Sequence, residues 1–134
     1  MPVDNIAFYG ANPDEEVLKR FDETVVLRLD LRPTDTGKYV VFGRVSIENW
    51  DDDAQFASAK LTTLDGKTQL DRVDVRLSGH EDGSRQTLCL QAILELGNSK
   101  ATPIVDLRCS SHMARAAQAK LVVISVDEVK NVVI

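Results

Sequence analysis

Alternation of apolar and polar residues is the feature that most limits how this chain can fold. From Thr24 onward apolar residues recur at every second position, in segments rich in Val, Ile, Leu and Thr. A period of two places the apolar side chains on one face of an extended strand, whereas an amphipathic helix needs a period near 3.6. The pattern predicts strands at 24–31, 38–49, 54–63, 70–77, 86–96, 103–109 and 116–128.

Short breaker segments separate the predicted strands. RPTDTG, NWDDD, LDGK, GHEDGS and GNSKATP combine Gly, Pro, Asn, Asp and Ser, which tolerate turn dihedral angles or cap their own backbone. No helix of any length fits between the strands, so the pattern indicates an antiparallel sandwich or barrel rather than alternating strands and helices. A chain of 134 residues can bury one core of ordinary size.

The N-terminal segment departs from this pattern. In NPDEEVLKRF, Asn12 is a helix-capping residue, Pro13 follows it, acidic residues come early, and Lys19 and Arg20 come late. This order is typical of one or two helical turns, although sheet pairing easily overrides so short a signal. We therefore expect residues 1–23 to be a segment packing on the domain, with a short helical turn, and residues 24–134 to form the sandwich.

Charge and the N-terminal composition exclude several classes of protein. The net charge of −5 opposes binding to a phosphate backbone or to an anionic membrane, so we expect neither nucleic acid nor membrane as a partner. The stretch MPVDNIAFYG has neither the basic region nor the long apolar region of a secretion signal, and no segment has the length of a membrane span. The expected location is cytoplasmic.

Catalytic patterns are missing from the sequence. His80 and His112 are the only histidines, and no H-x-H pair or phosphate-binding glycine loop occurs. Ser110, Ser111 and His112 are adjacent, but neighbours in an extended segment point to opposite faces. Strand parity also places Cys89 outside and Cys109 inside, which disfavours a disulfide between them. We expect no enzyme activity, no catalytic residue, no metal and no cofactor.

Three consecutive aspartates are the most conspicuous polar cluster. Asp51, Asp52 and Asp53 follow Trp50 where a strand ends, and the D-x-D-x-D-G spacing of a dedicated calcium loop is absent. The simplest interpretation is a solvated turn between two strands. The alternative is a ligand site in the loops at one end of the sandwich, in which Trp50 and the aspartates contact a carbohydrate or another small ligand and weakly bind calcium.

Two predicted strands are apolar on both faces. Strand 38–49 carries Val40 and Phe42 opposite its core positions, and the last strand carries Val122, Ile124 and Val126 in the same way. The outer face of a sandwich normally meets water, so something must cover these five residues. A homo-oligomer interface is the simplest cover, and packing by a loop or by the N-terminal segment is the alternative.

Four segments resemble a known family. TGKYVVFGRVSIEN, QTLCLQAILEL, IVDLRCSS and ARAAQAKLVVISVDEV are similar to segments of bacterial relatives of the tumour necrosis factor and complement globular-head domains, over about residues 24–129. The resemblance implies a ten-stranded, two-sheet jelly roll that binds ligands or partners and assembles as a homotrimer, with 37–47 and 120–126 in the sheet on the threefold axis. The family's pattern has aromatic residues at positions of that sheet that are mostly Val in this chain. Phe42 is the main aromatic candidate that remains there.

Together, the pattern and the resemblance predict an all-β, antiparallel two-sheet jelly-roll sandwich. The predicted function is that of a non-enzymatic structural or interaction module whose partner is itself, as a homotrimer.

Overall fold

The computed structural model describes residues 6–31, 37–63, 67–79, 84–96 and 104–130, and these residues form nine strands and no helix. The strands are β1 Ala7–Asn12, β2 Glu16–Lys19, β3 Thr24–Asp30, β4 Lys38–Asn49, β5 Gln55–Thr63, β6 Thr68–Leu77, β7 Arg85–Glu95, β8 Ile104–Ser111 and β9 Met113–Ser125. Each of the seven predicted strands is present, with ends that differ by at most three residues.

The strands form two antiparallel sheets. The five-stranded sheet has the order β1-β9-β4-β7, with β2 also pairing with β9, and the four-stranded sheet has the order β3-β8-β5-β6. From β2 onward the chain changes sheet at every connection except the β5–β6 connection. Since β1 and β2 both pair with β9, they act as one interrupted strand, and the topology is that of an eight-stranded jelly roll. The predicted fold class is confirmed.

The core is aliphatic and lies between the two sheets. Among the described residues, Tyr39 is the largest fully buried side chain and the other buried hydrophobic residues are aliphatic or small, in keeping with the low aromatic content. The inner face of β4 supplies Val41, Val45 and Ile47, which pack opposite residues such as Leu61 of β5. The alternation of apolar and polar residues along the strands therefore gives each sheet one apolar face, and these two faces pack against each other in the core.

The prediction of an N-terminal helical turn is wrong. Residues 7–12 and 16–19 pair with β9 instead, and Leu18 is fully buried in the core. The capping signal is still used, because Asn12 Oδ1 accepts the N–H of Asp14 at 2.9 Å and Asn12 Nδ2 donates to Val26 O at 2.8 Å. Asn12 thus forms a local turn between two strands, because sheet pairing outweighs a short helical propensity.

A bulge in β9 determines which residues of that strand face the core. Arg44 pairs with Lys120, and Ser46, two residues further along β4, pairs with Ala117, three residues back along β9. The strand β9 therefore contains one extra residue at this point, where the backbone of Gln118 is left-handed with φ 56°. Ala116 is buried before the bulge, whereas Leu121 is buried after it. The change of parity lets both halves of β9 contribute to the core.

Substitutions of Gln118 will test the bulge. Left-handed backbone costs a non-glycine residue roughly 1–2 kcal/mol, and the Gln118 side chain is exposed. We expect Gln118→Gly to raise the free energy of unfolding by up to about 1 kcal/mol, after the entropy of glycine is subtracted, and Gln118→Val to lower it by about 1–2 kcal/mol. Urea denaturation measures both changes. Equal effects of the two substitutions would contradict a left-handed residue at this position.

Candidate functional site

The exposed side of the five-stranded sheet is apolar over four neighbouring strands. Its two central rows follow from the strand register. In one row Phe42 lies between Val122 and Gln91, and in the next row Val40 lies between Ile124 and Ile93. We use the name "outer apolar face" for the surface formed by Tyr9, Val40, Phe42, Ile93, Val122 and Ile124.

Solvent reaches much of the outer apolar face. Tyr9 is 63% exposed and Phe42 is 43% exposed, while Val40, Val122 and Ile124 are half-buried by their neighbours. The side chains leave shallow grooves, one of about 410 Å³ beside Tyr9, Phe42 and Val122, and one of about 400 Å³ beside Val40, Phe42 and Ile93. Exposed apolar surface that continues across four strands is typical of an interaction site.

The five residues predicted as an interface fall on this side of the sheet. Pairing of β4 with β9 makes four of them cross-strand neighbours, Val40 with Ile124 and Phe42 with Val122. Val126 follows directly after β9, and its N–H donates to Lys38 O at 2.9 Å. Tyr9 and Ile93 were missed. Ile93 had a usable signal, because it is apolar on the outer parity of its strand, but Tyr9 lies in the N-terminal segment 1–23, where no strand was predicted.

The described N-terminal residues widen this face rather than cover it. In β1, Tyr9 pairs with Val122 and Ala7 pairs with Ile124, so the strand extends the sheet sideways. Residues 1–5 of the predicted N-terminal segment lie outside the described residues. Among the described residues, β1 therefore does not supply the cover that was the alternative to a homo-oligomer interface.

A pair of cations borders the outer apolar face. Arg44 and Lys120 are directly opposite each other in the β4–β9 register, and in the described segments neither forms an ion pair with an acid. Arg44 is also opposite Cys89 of β7.

Cys89 is exposed and Cys109 is buried, both as free thiols, which confirms the parity predicted for the two cysteines. Burial raises the pKa of Cys109 to about 12.

The aspartate run lies in the turn between β4 and β5, and Asn49 organises this turn. Asn49 is fully buried, and its Nδ2 donates to Asp53 O and to Ser78 O, each at 2.8 Å. Its Oδ1 accepts the N–H of Asp51 at 2.8 Å. One amide side chain therefore joins the turn to the end of β6, and the carboxylates of Asp52 and Asp53 are exposed.

The end-loop residues are partly engaged by the protein itself. Asp51 Oδ2 accepts a hydrogen bond from Gln55 Nε2 at 2.6 Å, and the Arg115 guanidinium lies 4.3 Å from the centre of the Trp50 ring. That cation–π contact occupies one face of the ring. Within the described ranges, no group of three or more His, Cys, Asp or Glu side chains is arranged to hold a metal ion.

The adjacent serines and histidine are held apart. Ser111 Oγ donates to Phe56 O at 2.8 Å, Ser110 Oγ lies 2.7 Å from Ser58 Oγ, and the His112 ring lies 5.9 Å from the Phe21 ring. His80 lies outside the described residues.

The outer face of the four-stranded sheet is polar, in contrast to the outer apolar face. Asp106 is fully buried there, and Arg28 binds both of its carboxylate oxygens, at 2.7 and 3.0 Å. Arg108 Nη2 donates to the same carboxylate at 2.9 Å. Burial alone raises the pKa of Asp106, but the hydrogen bonds and charges of the two arginines outweigh it and hold the pKa below its ordinary value of 3.8.

The fold likeness to known structures agrees with the observed topology. The chain is similar to a chain in the structure of infectious bursal disease virus, Gx strain, with a TM-score of 0.55, 12% identity, and coverage of 91% of this chain and 32% of that chain. A second likeness is to the D431N mutant VP2 protein of the same virus in derived T=1 particles, with a TM-score of 0.49, 11% identity, and coverage of 91% and 30%. The chain thus spans about a third of the length of these structures.

No family model matches the sequence, and no curated protein is significantly similar to it. None of the described segments forms a helix long and apolar enough to cross a membrane.

Removing the Asn49 amide will test how the turn is organised. Asn49→Ala leaves two carbonyls and one N–H without their partner at a partly buried position, so we expect the free energy of unfolding to fall by about 1–3 kcal/mol. Asp52→Ala is the matched control, because this exposed side chain should change stability by less than about 0.5 kcal/mol. Urea denaturation distinguishes the two, and equal losses would contradict the role of Asn49.

The pH dependence of stability will test the Asp106 network. A lowered pKa means that the carboxylate contributes its full stabilisation above the pKa of the unfolded chain, about 3.9, and loses it as the pH falls through the lower folded value. We expect Asp106→Asn to be less stable than the wild type at pH 7, and the difference to shrink below about pH 4. Asp52→Asn should differ little from the wild type at either pH. A difference for Asp106→Asn that is independent of pH would contradict the ion-pair network.

Proposed function

We propose that this chain is a non-enzymatic structural module that assembles with copies of itself through the outer apolar face. The observation that supports the proposal is the register of β4 and β9, which aligns Val40 with Ile124 and Phe42 with Val122 on the side of the sheet that faces away from the core. The inner sides of these strands are already buried. The outer residues are therefore not needed to complete the core.

Burial of the outer apolar face would contribute favourably to association. Burying roughly 200–300 Å² of aliphatic surface contributes about 5–8 kcal/mol at 25 cal/mol per Å², before the costs of association. A second copy presents the same surface and is self-complementary in chemistry, since apolar side chains meet apolar side chains. Arg44 and Lys120 form no ion pair within the described segments, and they mark one end of the contact, because like charges resist burial.

A homotrimer is the assembly that we propose. The support comes from the resemblance of the sequence to the tumour necrosis factor and complement globular-head domains, which implies a threefold axis against the sheet that contains residues 37–47 and 120–126. Those residues belong to β4 and to β9 with its continuation, neighbours in one sheet. The likeness to the virus structure supports the fold, and the trimer rests on the apolar face and on the resemblance.

The alternative function, an end-loop site for a carbohydrate or small ligand with calcium, has less support. Arg115 covers one face of Trp50, and Asp51 is engaged by Asn49 and Gln55.

Charge substitutions in the outer apolar face will test self-association. Light scattering during gel filtration should give about three times the chain mass of 14.8 kDa for the wild type. Phe42→Asp or Ile124→Asp places an unpaired charge in the proposed contact, and we expect either substitution to reduce the mass to that of a monomer.

Phe56→Asp is the matched control, because Phe56 is an exposed phenylalanine on the other sheet and its substitution should leave the mass unchanged. A monomeric wild type would contradict the proposal. A stable dimer that Phe42→Asp dissociates would support the contact and contradict the threefold geometry.

A further inference from the structure

A groove of about 520 Å³ crosses the outer face of the four-stranded sheet, on the opposite side of the sandwich from the outer apolar face. Phe56 of β5 and Phe21, from the turn between β2 and β3, contribute two aromatic rings to its walls. We call this site the phenylalanine groove. Its volume lies within the range of about 300–1,000 Å³ that is typical of small-ligand sites.

The floor and the remaining walls of the groove are polar. Ser58 and Ser110 are paired across β5 and β8, with their hydroxyl oxygens 2.7 Å apart. Lys60 donates to Glu23, and Arg72 Nε donates to Asp74 Oδ1 at 2.8 Å. The hydrogen bond from Lys60 holds the pKa of Glu23 below its ordinary value, so this carboxylate is ionised at neutral pH. Two cations and two anions therefore line the groove, and their charges cancel.

The two phenylalanines are unusually exposed for a chain with few aromatic residues. Phe56 is 64% exposed and Phe21 is 55% exposed, and the chain has only four phenylalanines. Each leaves most of a large apolar ring in water, although neither belongs to the surface proposed for self-association. Isolated exposed apolar residues are common, but two rings on one groove together form an apolar wall for a ligand.

The backbone that presents Phe21 is strained. Arg20 and Phe21 both have left-handed dihedral angles, with φ 56° and 59°, and the Asp22 N–H donates to Lys19 O at 2.9 Å. Tight turns of this kind favour Asn and Gly at the two central positions, because a bulky side chain costs energy there. A phenylalanine that the turn does not favour suggests that its ring serves another purpose, and in this structure the ring lines the groove.

We propose that the phenylalanine groove binds a neutral sugar. A pyranose has an apolar C–H face that packs against an aromatic ring, and its hydroxyl groups both donate and accept hydrogen bonds. The groove offers matching partners, since Glu23 and Asp74 accept, Lys60 and Arg72 donate, and the serine hydroxyls do both. A purely apolar ligand would remove these ion pairs from water without offering them any further hydrogen bond, and a ligand with a net charge would meet a like charge in the groove as well as an opposite one.

The experiment uses saturation-transfer NMR on the full chain with glucose, galactose, mannose and N-acetylglucosamine as the probes. We expect at least one sugar to bind, with transfer strongest at the protons of one ring face. Phe56→Ala should weaken that binding by about tenfold or more, whereas Phe56→Tyr should retain it, because the aromatic face remains.

Two substitutions elsewhere are the controls. Trp50→Ala should leave binding unchanged, since Trp50 is in the turn after β4 and does not line the groove. Phe42→Asp should also leave sugar binding unchanged while it alters the mass, so a failure of self-association and a failure of sugar binding remain distinguishable. The proposal is overturned if none of the four sugars binds, if Phe56→Ala binds as the wild type does, or if Trp50→Ala abolishes binding.

Discussion

The pairing of β4 with β9 is the interaction on which the rest of the structure depends. These two strands occupy the middle of the five-stranded sheet, so every other strand of that sheet is positioned against one of them. The bulge at Gln118 allows Ala116 and Leu121 both to face the core, although they are an odd number of residues apart. With the parity set in this way, Val122 and Ile124 must point outward beside Phe42 and Val40.

The two outer faces of the sandwich have different chemistry. On the five-stranded sheet the outer apolar face occupies the middle of the outward side, and the ion pairs Arg85–Glu48 and Arg115–Glu15 lie away from it. An apolar centre of this kind suits contact with another molecule. On the four-stranded sheet the outward charges are paired with each other, as in the Arg28–Asp106–Arg108 network.

The edges of the two sheets are also joined by side chains. Asp71 of β6 accepts the N–H of Gln91 in β7 at 3.0 Å, and Asn12 of β1 donates to the carbonyl of Val26 in β3. Such caps protect edge strands from pairing with other chains.

Much of this arrangement could be predicted from strand parity. Val40, Phe42, Val122 and Ile124 were identified because an apolar residue at an outward position is visible in the sequence. Tyr9 could not be placed in the same way, because it lies in the N-terminal segment, where no strand was predicted, and its partner Val122 is more than 100 residues away in the sequence. Local propensity was outweighed by distant pairing, which a local pattern does not contain.

The sequence alone determined the seven strands from Thr24 onward, the turns between them, the aliphatic core and the presence of a second apolar face on two strands, because each depends on alternation within a few neighbouring residues. Only the tertiary structure decided which strands became neighbours. That choice brought Tyr9 and Ile93 to the outer apolar face, gathered Phe21 and Phe56 on one groove, and buried Asp106 between two arginines. The physical reason is that these groupings join residues far apart in the chain, and their free energy comes from packing and charge pairing that exist only after the sheets have formed.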